Sequence, residues 1–192
     1  MKDINLIVAC TTNYGIGYNN KLPWNIPDEL KKFKDITTHV DNENKKNCII
    51  MGKNTWYSLP KAPLVNRINI IVSANEYEKM KGEVEKIHDT IVVNNLIDAF
   101  NYVNSNDNIE SCFIIGGSKV YEETIKKHIE RIKYVYMSMI IDENYVCDKF
   151  IDASDIYSKF SLAKEDIVRY DRYVSMKFIN KRYPYIIDEP PD

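Results

Sequence analysis

The segment that most directly indicates the fold is Phe113-Ile114-Ile115-Gly116-Gly117-Ser118-Lys119-Val120-Tyr121. It begins with apolar, β-branched residues typical of a buried strand and passes through two glycines into an amphipathic helical pattern. A strand followed directly by a helix is the repeating unit of α/β sheets. The segment matches neither G-x-G-x-x-G nor G-x-x-x-x-G-K-[ST], which excludes two common nucleotide motifs. The Gly-Gly turn either presents a helix N-terminus to a phosphate or is only a tight connection.

The same alternation extends along the chain in both directions. Strands are predicted at residues 4–9, 48–51, 68–72, 91–93, 112–115 and 134–141. Helical spacing of apolar residues occurs in three sets: Leu30, Phe33, Ile36 and Val40; Leu96, Ala99, Phe100 and Val103; Tyr121, Ile125 and Ile129. Several strands are apolar on both faces, as parallel strands under helices are. Residues 174–178 alternate strictly, as an antiparallel strand with one wet face does. We therefore predict an α/β fold with helices on both faces of a mostly parallel central sheet and an antiparallel C-terminal strand.

The 192 residues suit a single domain. We expect this domain to span residues 1–182 and to be followed by a peripheral or disordered tail, 183–192, to which no function is assigned. The tail ends in Glu-Pro-Pro-Asp and cannot continue a central strand. Polar stretches at residues 41–47, 81–85 and 104–111 are predicted to be surface connections.

Composition excludes several classes of function. A formal net charge of −2 is too near neutrality for a general nucleic-acid binder or a membrane-surface protein. The chain has no run of 18 apolar residues and no leader cleavage site, so we expect neither a membrane span nor secretion but a cytosol-like compartment. The cysteines and histidines are scattered without ligand spacing, so no metal site is expected. The cysteines at 10, 48 and 112 are expected to act as small buried hydrophobes.

Residues 13–24, Asn-Tyr-Gly-Ile-Gly-Tyr-Asn-Asn-Lys-Leu-Pro-Trp, follow the first predicted strand. The two glycines and the Asn-Asn pair permit a tight loop with positive φ angles. Ligands of open α/β sheets bind at the carboxyl ends of strands, so this loop is placed to cover a site, although it is also explained as a simple connection. Leu22 and Trp24 are large apolar groups that must bury against the protein or a ligand.

The helix predicted after Pro27 carries a carboxylate on its inward face. Glu29, Phe33 and Ile36 share that face, and Pro27 fits the first helical position. An inward carboxylate is costly unless it is paired. A structural role in the first helical turn is the alternative, but the cap would be Ile26, which has no hydroxyl. The residues alone leave both readings open.

Two more segments offer groups for anions. In residues 51–58, Lys53 and Thr55 lie at the start of a predicted short helix, where free N–H groups and a cation can hold phosphate. Arg67 precedes the strand predicted at 68–72, where it either grips a carboxylate or merely flanks the strand. As bare patterns, these positions are also explained as solvated side chains.

Taken in order, four segments resemble the dihydrofolate reductase family across residues 4–182. They are A-x-x-x-N-x-G-I-G-x-N-x-x-L-P-W (9–24), M-G-x-x-T-W-x-S (51–58), P-L-x-x-R (63–67) and I-G-G-x-x-V-Y (115–121). The resemblance implies an NADPH-dependent reductase that converts dihydrofolate to tetrahydrofolate, binds antifolates and serves one-carbon metabolism. The implied partners are small molecules, not nucleic acid or membrane.

The resemblance also implies the residues of the folate side. Glu29 would hydrogen-bond the pteridine 2-amino group and N3, and Trp24 would hold a water that relays the proton to N5; these two are the expected catalytic residues. Arg67 would pair with the α-carboxylate of the glutamate tail, and Ser138, where the family usually has Thr, would support the carboxylate. The remaining residues expected to line the folate slot are Ile7, Phe33, Leu59 and Leu64.

On the cofactor side the resemblance places Ala9, Ile16 and Ile115 around the nicotinamide, with Tyr121 at the floor of its pocket. The pyrophosphate would be held by Thr55, Gly116, Gly117 and Lys119, across a Gly-Gly bond that is typically cis in the family, and Lys53 would bind the 2′-phosphate. The other positions expected to contact NADPH are Gly17, Asn54, Ser73, Ser118 and Val120.

This chain departs from the family pattern at Ala74, which follows Ser73 where the family often offers Arg or Ser to the 2′-phosphate. Residues 148–152 depart from D-T-F-F-P, and the loop before them is one residue longer. Two alternatives are a fold-related pyrimidine reductase, which should lack Glu29 with Arg67, and a silent nucleotide-binding or structural protein, which should have lost the carboxylate or the Gly-Gly turn. The chain is expected to act as a monomer or to derive from a fusion with thymidylate synthase.

Overall fold

The computed structural model describes residues 1–142 and 144–183. Within them the helices and strands are, in chain order, β1 (Asp3–Thr11), β2 (Gly15–Gly17), α1 (Pro27–Thr38), β3 (Lys46–Gly52), α2 (Lys53–Ser58), β4 (Arg67–Val72), α3 (Tyr77–Val84), β5 (Thr90–Val93), α4 (Leu96–Ser105), β6 (Ile109–Ile114), α5 (Ser118–Lys127), β7 (Ile132–Ile140), β8 (Lys149–Phe150), α6 (Ser154–Lys159), β9 (Phe160–Leu162), β10 (Val168–Arg169) and β11 (Tyr173–Asn180). Two short 3₁₀ turns lie at Ile129–Arg131 and Lys164–Asp166.

In the described part of the chain the main sheet has nine strands, ordered β10-β11-β7-β1-β6-β3-β4-β5, with β9 paired to β11. The strands from β7 to β5 in that order are all parallel to their neighbours. β11 runs antiparallel to β7, β9 and β10. The predicted fold class is therefore confirmed, and the antiparallel part is larger than the one strand that was predicted.

Helices cover both faces of this sheet because the side chains of its central strands are apolar on both sides. From β1, Leu6 and Val8 pack in one core with the apolar faces of α4 and α5. Ile7, on the opposite face of β1, packs in a second core with α2, α3 and Phe33 of α1. This arrangement leaves the carboxyl ends of the parallel strands as the edge where loops approach one another.

Two local predictions were wrong, and a third was confirmed only in part. Residues 81–85, predicted to be a surface connection, lie mostly in α3, whose Met80 and Val84 are buried. In α1, which ends at Thr38, Val40 lies beyond the helix and Leu30 is 45% exposed. The positive φ angles predicted for the first loop occur at Asn19 and Asn20, and also at Tyr14, but not at its two glycines. At Gly15 a glycine is instead required by packing, because a Cβ there would overlap Cys147 Sγ.

Of the residues predicted to form the tail, Tyr183 is described, and its hydroxyl donates to Asp3 Oδ1 at 2.9 Å; residues 184–192 lie outside the described residues. Cys10, Cys48 and Cys112 are buried free thiols. No helix among the described residues combines the length and apolar character needed to cross a membrane. Likewise, residues 1–142 and 144–183 contain no group of three or more His, Cys, Asp or Glu side chains placed to hold a metal ion.

Candidate active site

The loops that follow β1, β3, β4 and β6 meet at the carboxyl edge of the sheet. β6 lies between β1 and β3, so the turn after β6 is central. The Ile115 N–H donates to Ile50 O at 2.9 Å, and the Gly52 N–H donates to Gly116 O at 2.8 Å. These bonds extend the β3–β6 pairing past the end of the strands, so that Lys53 and the Gly-Gly turn lie side by side.

The Gly-Gly turn is built for close approach of a ligand to the backbone. The Gly116–Gly117 peptide is cis, as the resemblance implies, and Gly116 has φ of +105°. A Cβ on Gly116 would lie 2.8 Å from Tyr121 Cε2, and one on Gly117 would lie 3.2 Å from Thr55 Oγ1. Tyr121 is fixed in turn, because its hydroxyl donates to Ile7 O at 2.7 Å. No other residue fits at Gly116 without moving the ring beneath it.

The first turn of α5 leaves its backbone N–H groups available beside these glycines. The N-cap is Gly117, and no side chain caps the helix. Free N–H groups at a helix N-terminus, with glycines that admit close approach, fit a pyrophosphate. Ser118 is half-buried, Lys119 is exposed at the same helix start, and Val120 is buried. The donor set therefore fits the dinucleotide that the sequence resemblance implies.

Glu29 is a buried carboxylate in the first turn of α1. It is 6% exposed, Pro27 begins the helix, and the N-cap Ile26 offers no side-chain bond. Burial raises the pKa of Glu29 above its ordinary value of 4.5, and a hydrogen bond from Ser138 partly offsets this rise. Among the ion pairs of the described residues, none includes Glu29. A buried carboxylate with a raised pKa and no cationic partner is typical of a functional site.

Trp24 lies in the core that also contains Ile26, Ile140 and Tyr173. Its ring is 6% exposed, and its indole N–H has no hydrogen-bond partner in the described structure. A buried donor without a partner is costly, so this N–H is suited to a water or a ligand. Leu22, in contrast, is 50% exposed, which leaves it available to a ligand.

Arg67 is a buried cation held by neutral groups. It is 3% exposed, its Nε donates to Val65 O at 3.0 Å and its Nη1 donates to Thr37 Oγ1 at 2.8 Å. The guanidinium carbon lies 6.0 Å from the centre of the Phe33 ring. Burial lowers the pKa of Arg67. No carboxylate pairs with it in the described part of the chain, so it retains its capacity for a bidentate anion.

The other predicted folate and cofactor residues do not form a single cluster. Ile7, Phe33, Leu59, Leu64 and Ile115 belong to one apolar cluster. Ala9 packs instead with Trp24, and it pairs with Ser138 across β1 and β7. Ile16 packs against the core on the far face. Ser73 is buried at the end of β4, and Asn54 is exposed on α2.

The loop after β1 is tied to the loop before β8. β2 pairs with β8, the Asp148 N–H donates to Gly17 O at 2.9 Å, and Asp148 Oδ2 accepts from the Asn19 N–H at 3.1 Å. Gly17 is buried in this pairing, whereas Ile16 is half-buried. The predicted cover over the site is thus an ordered two-strand unit.

Sequence reasoning missed several residues that shape the site. Thr37 and Asn69 hold the Arg67 segment, and Asn69 bonds both the N–H and the carbonyl of Leu64 at 3.0 Å. Because Asn69 lies inside an otherwise apolar strand, the sequence could have indicated a structural role for it. Arg172 and Tyr145 brace Trp24: the Arg172 guanidinium donates to Tyr145 Oη at 2.8 Å, and the Tyr145 ring lies edge-on to Trp24 at 5.8 Å. These contacts join residues far apart in the chain, so no local sequence pattern could have predicted them.

Lys53, predicted to hold a phosphate, forms an ion pair with Glu76 just before α3. Glu76 was not singled out by the sequence pattern, since it reads as an ordinary surface acid. The pair places a carboxylate at the carboxyl edge of the sheet, next to the cation predicted to hold phosphate.

A mostly parallel α/β sheet whose carboxyl edge carries a free helix N-terminus, a buried carboxylate and a buried guanidinium is typical of an enzyme that uses a nucleotide. Comparison with known proteins agrees: the model of the family described as "Dihydrofolate reductase" matches residues 3–183. The dihydrofolate reductase of Aedes albopictus is 35% identical over 179 residues, which are 86% of this chain and 87% of that protein. The enzyme of Drosophila melanogaster is 34% identical over 157 residues, 80% of this chain and 81% of that protein. The bifunctional dihydrofolate reductase-thymidylate synthase of Daucus carota is 31% identical across 86% of this chain but 32% of its own length.

The chain belongs to the dihydrofolate reductase family. It is accordingly an oxidoreductase of tetrahydrofolate metabolism that reduces dihydrofolate with NADPH. The pyrimidine reductase and the silent binding protein are set aside by this match.

Proposed function

We propose that α1 and Arg67 form a single folate slot in which Glu29 binds the pteridine and Arg67 binds the glutamate tail. The observation that carries this proposal is the spacing of groups on one face of α1. Glu29, Phe33 and Thr37 are four residues apart in turn, and Thr37 bonds Arg67. With a rise of 1.5 Å per residue, Glu29 and Thr37 are about 12 Å apart along the helix. Two buried charges of opposite sign thus lie at the two ends of an apolar stretch, as dihydrofolate requires.

Glu29 is assigned the recognition of the pteridine. Its two oxygens accept hydrogen bonds from the 2-amino group and from N3, both of which are donors on one edge of the ring. The charge-assisted pair is strong because burial excludes competing water. The same geometry suits antifolates with a diamino heterocycle, which present two donors to one carboxylate.

Trp24 and Ser138 are assigned to proton supply and orientation. The unpartnered Trp24 indole N–H is suited to hold a water near Glu29, from which the proton reaches N5 of the pteridine. Ser138 fixes Glu29 through its hydroxyl and keeps the carboxylate more acidic than burial alone would. NADPH, when bound, supplies the hydride for C6.

The chain's own residues hold that cofactor in place and exclude water. Gly116, Gly117, Thr55 and Ser118 surround the free N–H groups at the start of α5, which suits the pyrophosphate. Ala9, Ile16 and Ile115 are assigned to the nicotinamide, and Tyr121 to the floor of its pocket, on the family resemblance. The outer positions assigned to the cofactor are Gly17, Lys53, Asn54, Ser73, Lys119 and Val120. The β2–β8 unit closes over this region and gates the exchange of ligands.

The test separates chemistry from cofactor binding. Glu29→Gln keeps the shape of the side chain and removes its charge, and we expect turnover of dihydrofolate to fall at least about a hundredfold. NADPH affinity, measured by quenching of protein fluorescence, should remain within about twofold because Glu29 is assigned no contact with NADPH. An equal collapse of NADPH affinity would refute the assignment of Glu29 to the pteridine.

We further propose that the chain acts as a monomer in a cytosol-like compartment, with a reductase domain at residues 1–182. Gel filtration with light scattering at the concentration of the activity assay tests this, and activity confined to a dimer would refute it.

A further inference from the structure

Glu76 lies next to the cation assigned to the 2′-phosphate. One of its carboxylate oxygens bonds Lys53 Nζ, and the other lies 3.5 Å from Lys79 Nζ. The side chains of Lys53 and Glu76 are each about one-third exposed, whereas Lys79 is 66% exposed. The pair is therefore partly shielded from water, and Lys53 is already engaged by an acid of its own chain.

The backbone explains why these side chains meet. β3 and β4 are parallel neighbours in register from Asn47 with Arg67 to Gly52 with Val72. Lys53 directly follows β3, and Glu76 follows β4 by four residues at the start of α3. Both side chains consequently project from the same carboxyl edge of the sheet. Ala74, on the same connection, is exposed and offers no polar group.

The chemistry of this end of a dinucleotide depends on charge. A 2′-phosphate is an anion that needs cations and donors, whereas an unphosphorylated ribose has a 2′-hydroxyl that donates to a carboxylate. A carboxylate next to a phosphate is unfavourable, because like charges at short range repel. Glu76 therefore disfavours binding of the 2′-phosphate in two ways. It already pairs with Lys53, and it places a negative charge next to that cation.

We propose that Glu76 determines the relative affinity of this enzyme for NADPH and NADH. Its carboxylate weakens the interaction of Lys53 with the 2′-phosphate of NADPH and accepts a hydrogen bond from the 2′-hydroxyl of NADH. NADH is then a second hydride donor. The reaction stays balanced as before, with hydride to C6 and a proton to N5, and NAD⁺ leaves in place of NADP⁺. This inference rests on the proposed place of Lys53 in the cofactor site.

The test measures binding as well as turnover on the full chain. Dissociation constants for NADPH and NADH are measured by fluorescence quenching, and those for 2′,5′-ADP and 5′-AMP by calorimetry. For Glu76→Gln we expect tighter NADPH and 2′,5′-ADP, weaker NADH and 5′-AMP, and a preference for the phosphorylated ligand that rises by about tenfold. Lys53→Gln should change the preference in the opposite direction. Shifts of opposite sign for two ligands cannot arise from general damage to the fold.

Glu83→Gln is the matched control, because Glu83 lies on α3, also faces Lys79 and bonds Tyr57 rather than Lys53. It should leave the preference unchanged. If Glu76→Gln shifts the preference no more than Glu83→Gln does, the role of Glu76 is overturned. Continued NADPH binding and reductase activity of the variant would show that the proposed function itself still stands. If the wild-type chain binds neither NADPH nor 2′,5′-ADP, the proposed cofactor site itself fails, and this inference fails with it.

Discussion

Arg67 and Glu29 are unusual because each buries a charge without an opposite charge from the described residues of the protein. Burial disfavours the ionised form of both, as it lowers the pKa of Arg67 and raises that of Glu29. Neutral hydroxyls, from Thr37 and Ser138, are the side-chain partners that the fold supplies. The protein thereby keeps both charges available for a substrate that carries complementary groups.

For Arg67 this predicts a loss of substrate binding rather than of chemistry. Arg67→Gln retains donors toward Val65 and removes the charge, so KM for dihydrofolate should rise about 10–100-fold, the value of a lost charge-assisted bond. We expect kcat to change only slightly because Arg67 is assigned to the tail. Steady-state kinetics with dihydropteroate, which lacks the glutamate, provide the comparison. A variant that loses as much with dihydropteroate as with dihydrofolate would place Arg67 elsewhere.

At the scale of elements, most strands and helices could be predicted, including the short helix α2 and the short strand β5, whereas α3 and the shortest strands could not. Residues 113–121 have a pattern that only a strand, a turn and a helix satisfy, and β6 and α5 follow it. Helix α3 was missed because charged residues surround its two inward apolar positions, Met80 and Val84. Strands such as β8 and β10 have two residues each, which is too short for any period to show.

Some parts of the candidate site could likewise be predicted from the sequence, and others could not. Glu29, Arg67 and the glycines were singled out because each breaks a local pattern: an acid on an apolar helix face, a cation at a buried strand, two glycines at a helix start. The pattern alone left structural roles open, and the family resemblance supplied the functional ones. The pairing of Lys53 with Glu76, and the brace from Arg172 through Tyr145 to Trp24, join residues far apart in the chain. Register and loop packing determine such pairs, and neither has a signature in a single segment.

The turn between β6 and α5 gives a prediction with an internal control. Gly116→Ala must accommodate a Cβ 2.8 Å from Tyr121 at φ of +105°, and it should lower the free energy of unfolding by about 1–3 kcal/mol. NADPH affinity should fall with it. Gly82→Ala, in α3, meets nothing within 4 Å and should be neutral or stabilising by up to about 1 kcal/mol. Urea unfolding and fluorescence titration measure both. Equal stability of the two variants would contradict the packing argument.

Across the whole molecule, the buried carboxylate couples catalysis to stability. The folded chain binds the Glu29 proton more tightly than the unfolded chain, because burial raises the pKa above 4.5. Between the ordinary and the raised pKa the native state thus holds more protons, and stability falls as pH rises through that window. Above the raised pKa the deficit is constant. An active site that keeps an acid buried is therefore destabilising where the enzyme works.

Glu29→Gln should accordingly be more stable than the wild-type chain at neutral pH, and this advantage should vanish below the ordinary pKa of 4.5. Urea unfolding of both proteins over a series of pH values, without ligands, measures the difference. Glu122→Gln supplies a control of opposite sign: Lys126 lowers the pKa of Glu122, so that variant should lose stability above the ordinary carboxyl pKa and match the wild type in acid. If the advantage of Glu29→Gln shrank as pH rose, burial would not be the dominant influence on this carboxylate. The functional assignment of Glu29 would then lose its physical basis, since a carboxylate whose ionised form the protein already stabilises needs no substrate to satisfy it.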